Sequence, residues 1–276
     1  MDKSILFLTD LDNGEKEDPI TVEYLKKYFD VTISYFDTIE SHEKNFSLIL
    51  LRNTWPSDHS KVATYHKLKT AFLHRAETKN LNIYNDSRAN ADHLGKGYLV
   101  TLYKNNFPVI PSVDSLEDLK LLPRAKQYLL KPKNGFSSIG IETIARERLS
   151  ETVINNQIIQ PKLDFQYEIS FYFIDKKFLY CLIFAPSKIP AWPRPTEHEP
   201  TAEELRFAKQ CLDWEKMRYG LCRVDALKTT AGKLVLLEIE DDAPYFSITE
   251  IAASLKKLFL ESLKESIQKV IGNFYA

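Results

Sequence analysis

The sequence has 276 residues, 44% of them apolar and 27% charged, with a formal charge of −1. That balance fits a folded chain and excludes a disordered or collagen-like one. No apolar run approaches the roughly 20 residues that cross a bilayer, and scattered basic residues at near-neutral net charge leave no electrostatic footprint for nucleic acid.

The chain opens on "MDKSIL" and leads directly into a strand pattern, without the regions of a signal peptide, so the expected location is the cytoplasm. Apolar runs at Ser4 to Thr9, Val31 to Phe36 and Phe46 to Leu51 alternate with helical patterns at Pro19 to Phe29 and Asp58 to Lys79, and "NIYN" reads as a further strand. Continuous apolar strands interleaved with helices predict a parallel sheet covered on both faces. A helical pattern then runs from Ser87 to Asn106, and Ser115 with Asp118 forms a capping pair for a short helix.

Beyond Pro123 the pattern changes to strands punctuated by turns, in "QYLLKPKNGFSSIGIETI" and in the aromatic-rich run up to Pro186 with a turn at Asp175 to Lys177. Residues 185–200 hold five of the thirteen prolines, the composition of a long functional loop. Thr201 and Glu204 cap the next helix, and Ser247 with Glu250 forms a capping pair for a closing helix that runs to about Ile271. Cys181, Cys211 and Cys222 have no CxxC spacing and read as reduced packing residues. His59 and His66 lack the HExxH or cysteine context of a zinc site.

The hairpin "LCRVDALKTTAGKLVLLEIE" carries the strongest chemical signal. With a two-residue turn at Ala231 and Gly232, Asp225 falls opposite Glu238, Arg223 opposite Glu240 and Ala226 opposite Leu237. One face of the hairpin is then apolar, and the other bears three carboxylates and a guanidinium. Like charges opposite one another in a sheet are destabilising, and a hard divalent cation such as Mg²⁺ relieves them while also binding phosphate oxygens. The competing reading is a solvated strand end running into a turn.

Glycine is scarce, 8 in all, about half its average share, and four of the eight fall between Gly95 and Gly140. Gly135 to Gly140 spells GxxxxG, but Ile141 and Glu142 follow where a P-loop needs lysine and a hydroxyl residue. Lys131 precedes the loop in a strand, with Lys133 on the same face, and "NGFSSIG" supplies backbone N–H groups and small hydroxyls that could cover phosphates. Gly95 and Gly97 flank Lys96, but Val100 stands where a dinucleotide fingerprint needs its third glycine.

Taken in order, Lys96, Lys131 with its glycine loop, "IIQPKLDFQYE", "RVDA" and "EIE" resemble the ATP-grasp superfamily of carboxylate-amine ligases. "LRNTW" and "LLEIEDDAPYFS" bring the sequence nearest to its glutathione-synthetase-like and cycloserine-biosynthesis branch. The resemblance implies a mixed α/β chain with an N-terminal Rossmann-like parallel-sheet domain at 1–86 and an ATP-grasp domain at 87–276. The latter divides into connecting helices at 87–124, a lid at 125–162 and an antiparallel catalytic part, α+β in character, at 163–276.

By the same resemblance Lys96, Lys131 and Lys133 meet the ATP phosphates, and Ser137, Ser138 and Gly140 belong to the covering loop. Gln160, Lys162 and Leu163 form the adenine hinge, and Glu168 binds ribose. Asp225, Glu238 and Glu240 hold two Mg²⁺ ions, or Mn²⁺ in their place, and Arg223 acts with Lys131 in catalysis. Lys188 and Arg194 are further phosphate candidates. The implied activity is ATP-dependent joining of a small-molecule or peptide carboxylate to an amine, and a homodimer is the candidate assembly. A non-catalytic ATP-binding module and a phosphotransferase are the alternatives. Specificity is expected from Arg52 to Asp58 and from residues 185–200.

Overall fold

A computed structural model describes residues 3–9, 16–34, 46–52, 62–135, 138–186 and 194–274. The first sheet is parallel, in the order β2-β1-β3-β4, with β1 (Ser4–Leu8), β2 (Asp30–Ser34), β3 (Leu48–Leu51) and β4 (Ile83–Tyr84). Both central strands are buried along their whole length, as parallel strands covered on two faces must be. On one face Leu6, Leu8, Ile49 and Leu51 pack with Tyr65, Phe72 and Ala76 of helix α2 (Val62–Thr78). On the other, Ile5, Phe7, Leu48 and Leu50 join Val22 and Leu25 of α1 (Glu17–Leu25).

That second core continues into the rest of the molecule. Phe259, Leu263 and Ile267 of the closing helix α5 (Ala253–Phe274) belong to it, as do Tyr172, Ile174 and Tyr180 of the antiparallel sheet. This sheet runs β10-β9-β8-β11-β12 and comprises β8 (Phe165–Ile174), β9 (Lys177–Phe184), β10 (Thr196–Glu197), β11 (Leu221–Thr229) and β12 (Leu234–Glu240). Period-2 alternation divides its faces: Phe171, Phe173, Val224, Ala226 and Ile239 pack with α3 (Gly97–Lys104) and α4 (Ala202–Trp214), while Arg223 and Asp225 turn to the opposite side. A third sheet, β6-β5-β7, comprises β5 (Gln127–Pro132), β6 (Glu142–Ala145) and β7 (Gln157–Pro161), with its own small core of Tyr128, Leu130, Leu149 and Ile159.

Several expectations are corrected in detail. The helical pattern from Ser87 to Asn106 yields a short 3₁₀ turn at Asp92–Leu94 and a helix only from Gly97, because Gly95 adopts φ +88° and the Asp241 carboxylate takes the N–H groups of Ala91 and His93. The helix expected after Ser115 is a 3₁₀ turn at Glu117–Leu121. The Thr201–Glu204 capping box forms in full. At Ser247, by contrast, φ is +56° and the helix begins six residues later, since the buried Glu17 carboxylate accepts the N–H groups of Phe246 and Ile248 and bends this segment away from helix. The three cysteines are buried and unpaired, and no helix among the described residues is long and apolar enough to cross a membrane.

Arg52, directly after β3, is the largest fully buried side chain among the described residues. Its guanidinium pairs with Glu17, meets Asp18 at 3.1 Å, and donates to the carbonyl of Pro244 at 2.9 Å. The parallel sheet is thereby tied to the segment that follows β12. Removing one partner of a buried charged network strands the others, at a cost of about 3–5 kcal/mol. Arg52→Met is therefore expected to lose about that much stability in urea unfolding, and an unchanged midpoint and slope would contradict this role.

Candidate active site

The carboxylate hairpin has the expected facing pairs, reached by a different path. Arg223 lies opposite Glu240, Val224 opposite Ile239 and Asp225 opposite Glu238. The turn, however, spans three residues, with Thr229 and Lys233 paired across it, so Ala226 meets Leu236 rather than Leu237. A bulge at Leu237 absorbs the offset, and Leu237 and Glu238 both line the adjoining cavity of about 950 Å³.

Asp225, Glu238 and Glu240 each offer an oxygen within 4.8 Å of the others. Arg223 spans two of them: it holds Asp225 with Nε–Oδ1 at 3.0 Å and Nη2–Oδ2 at 2.9 Å, and Glu240 Oε1 at 2.6 Å from Nη2, while Nη1 donates to the Tyr245 carbonyl. Ser170 donates to Asp225 at 2.6 Å. Lys96 donates to Asp92 at 2.6 Å and to Glu238. Burial opposes ionisation of Glu238, but Lys96 and Lys131 outweigh it and hold the carboxyl down to about 2. Burial, then Asp225, pushes Glu168 up to about 7, and burial with its acidic neighbours pushes Glu240 well up despite Arg223. An all-oxygen donor set of this kind suits a hard divalent cation.

Lys131, on β5, lines the same cavity, and burial lowers its pKa. Lys133 reaches the cavity too and pairs with Asp114 at 2.8 Å. The β5–β6 loop rests on the segment before α3: Lys96 N–H donates to Lys133 O at 2.7 Å. Any Cβ at Gly95 would lie 2.6 Å from Asn134 Oδ1 and 3.0 Å from Lys133 O, so close approach as well as positive φ requires glycine there.

Ser138 is on the cavity wall, with Gly135, Ile139 and Ile141. Gly140 lies against Pro132 and is not on the wall. Ser137 lies outside the described residues, as do Trp55 to Asp58 and Lys188. Glu168 and Arg194 line the cavity. Gln160, Lys162 and Leu163 do not: Gln160 donates to Ser112 at 2.8 Å with its Oε1 buried and unbonded, and Lys162 N–H is taken by Gln127 O. Arg52 reaches the wall with its guanidinium bound to Glu17, Asp18 and Pro244, so it shapes the site from behind.

The sequence reading missed Asp92, Leu237, Tyr245 and the group Lys69, His93 and Asp242, all on the cavity wall. Asp92 alone had a local signal, its i,i+4 spacing to Lys96.

No family model and no curated protein matches the sequence. Solved structures do match in shape. D-cycloserine synthetase DcsG aligns with a TM-score of 0.74 at 18% identity, over 96% of this chain and 99% of that one. ATP-grasp ligase PsnB, complexed with a precursor variant, Mg and ADP, gives 0.67 at 14% identity over 98% and 99%. The chain has the ATP-grasp fold. D-alanine–D-alanine ligase from Bacillus anthracis, complexed with ATP, gives 0.67 at 14% identity over 99% of each chain. On the ATP-grasp fold of this chain Glu238, Glu240, Lys96 and Lys131 share one cavity, with Asp225 buried beside the two glutamates.

Gly95→Val is expected to cost about 1–3 kcal/mol of stability in urea unfolding, the scale of a misfit under the loop. At Gly272 nothing lies within 4 Å of an added Cβ, and the same change there should cost less than about 0.5 kcal/mol, as at an unconstrained surface position. Equal losses would contradict the glycine argument.

Proposed function

We propose that this protein is an ATP- and Mg²⁺-dependent ligase that activates a carboxylate as an acyl phosphate, releasing ADP, and joins it to an amine. The observation that carries the reading is the oxygen-only trio Asp225, Glu238 and Glu240: Glu238 and Glu240 line one cavity with Lys96 and Lys131, and the buried Asp225 offers an oxygen within 4.8 Å of both. The fold, shared with ligases at low identity, supports it. The three-sheet arrangement likewise supports a division into an N-terminal domain at 1–86 and an ATP-grasp domain at 87–276, with the lid at 125–162.

In this reading Lys96 and Lys131 neutralise the phosphates, joined by Lys133 on release from Asp114. The loop around Ser138 covers them, with Ser137 and Gly140 part of that cover. Gln160, Lys162 and Leu163 belong to the hinge that meets adenine when the loop-bearing sheet closes on it, and Glu168 takes the ribose hydroxyls. Asp225, Glu238 and Glu240 would hold Mg²⁺, two ions by resemblance, which would supply charge neutralisation at the transferring phosphoryl group.

Arg223 is fixed by Asp225, Glu240 and the Tyr245 carbonyl, so a guanidinium stands beside the acidic trio without reorganising. That is the condition for stabilising charge that develops only in the transition state. Acyl phosphates hydrolyse, and a loop seated on Gly95 and Lys96 gives the cavity a cover against water.

The test is ADP release with a panel of D- and L-amino acids and short peptides. Turnover should require Mg²⁺, an acid and an amine together, yield free phosphate, and fall by about 100-fold or more in Lys131→Met, the usual scale for losing one such electrostatic contact. ATP binding without turnover on any pair would favour a binding module. A phosphorylated acceptor would favour a phosphotransferase.

A further inference from the structure

One titratable group on the cavity wall has no part in the nucleotide chemistry. Asp242 lies two residues beyond β12. Its Oδ2 accepts from Lys69 of α2, and its Oδ1 lies 3.1 Å from His93 Nδ1. His93, Lys69 and Asp242 all line the cavity, yet their side chains are only 12%, 10% and 10% exposed. The backbone is fixed as well, since His93 N–H donates to Asp241 at 2.7 Å.

The geometry dictates a tautomer. A carboxylate only accepts, so Nδ1 carries the hydrogen and the neutral ring keeps its lone pair on Nε2. Nε2 has no hydrogen-bond partner among the described residues. Among the described residues, Asp242 meets the ring, Asp241 takes the backbone N–H of His93, Lys69 of α2 pairs with Asp242, His66 lies beside Lys69, and Asp92 precedes His93 in its own segment. Lys69 is committed to Asp242, and burial with Lys69 beside it lowers the pKa of His66. A histidine oriented by a carboxylate on a largely enclosed wall is the arrangement that general-base catalysis uses.

Ligation needs such a base. An amine in neutral water is mostly ammonium, and it becomes a nucleophile only after losing a proton. We propose that His93, oriented by Asp242, is the general base that takes this proton from the acceptor ammonium, freeing the amine to attack the acyl phosphate. The inference rests on the ligase reading above. The amine lone pair forms the C–N bond, the C–O bond to phosphate breaks, and phosphate leaves with that electron pair. The ammonium proton passes to Nε2 and from there to solvent, and the second N–H proton, released as the C–N bond forms, leaves with the departing phosphate. The acceptor accordingly enters between α2 and the Asp92–Gly95 segment.

The test compares two nucleophiles on one enzyme. Hydroxylamine is already unprotonated at neutral pH and traps acyl phosphates as hydroxamates without a base. In His93→Gln the rate ratio of amino-acid coupling to hydroxamate formation should fall by about 100-fold or more, the lower range for loss of a general base. Added imidazole should restore part of the coupling in His93→Ala. Melting temperatures of both variants check folding. If the ratio stays constant, whether both rates fall or neither does, His93 is structural and the proposal is overturned. If the wild-type protein forms no hydroxamate with any acid, the ligase reading fails first and takes this inference with it. Hydroxamate formation with an unchanged ratio isolates the failure to His93.

Discussion

Three carboxylates on two paired strands repel one another, and at a few ångströms' separation in a partly buried site that repulsion is worth several kcal/mol even with generous screening. The site is organised around offsetting it. Arg223, on the same strand as Asp225, spans two of the three acids, and Lys96, from the start of α3, engages the third. The Arg223 guanidinium also donates to the Tyr245 carbonyl, and the backbone N–H of Lys96 donates to the Lys133 carbonyl. The segment carrying Tyr245 is therefore tied to the acidic face by a charged group, and the segment carrying Lys133 by the backbone of the residue whose ammonium meets Glu238. In the ligase reading this same group of charges meets metal and phosphate.

A second network explains how the N-terminal sheet contributes. Glu17 stands at the start of α1, yet it accepts the N–H groups of Phe246 and Ile248, and Arg52 holds both Glu17 and the Pro244 carbonyl. The chain after Glu240 is thus shaped by residues from the far end of the sequence. Asp241 and Asp242 within it position Ala91 and His93. Three separate stretches of sequence converge on one short loop, and that convergence sets Asp242 and His93 on the cavity wall beside Lys69 of α2.

The parallel sheet was legible because buried parallel strands need continuous apolar runs, and Ser4–Leu8 and Leu48–Leu51 have them. The acidic face was legible because side chains alternate with a strict period of two in a strand. What escaped was whatever long-range contacts decide. The three-residue turn and the bulge at Leu237 cancel in register, so the facing pairs emerged correctly from an incorrect turn. The delayed start of α5 and the broken helix before Gly97 both follow from distant carboxylates, Glu17 and Asp241, capturing backbone N–H groups. No local pattern around Ser247 or His93 encodes that. Gly95 stands out in the sequence only as a neighbour of Lys96, and its reason, the loop resting on it, is a tertiary contact.

The central claim is that Asp225, Glu238 and Glu240 form a metal–nucleotide site with Lys96 and Lys131. Its most direct test is a crystal structure with Mn²⁺ and a non-hydrolysable ATP analogue, with Mn²⁺ located by its anomalous scattering. The account predicts manganese among these three carboxylates, with the triphosphate between it and the two lysines. Nucleotide bound in another part of the molecule, or manganese absent from the trio while nucleotide is present, would contradict it.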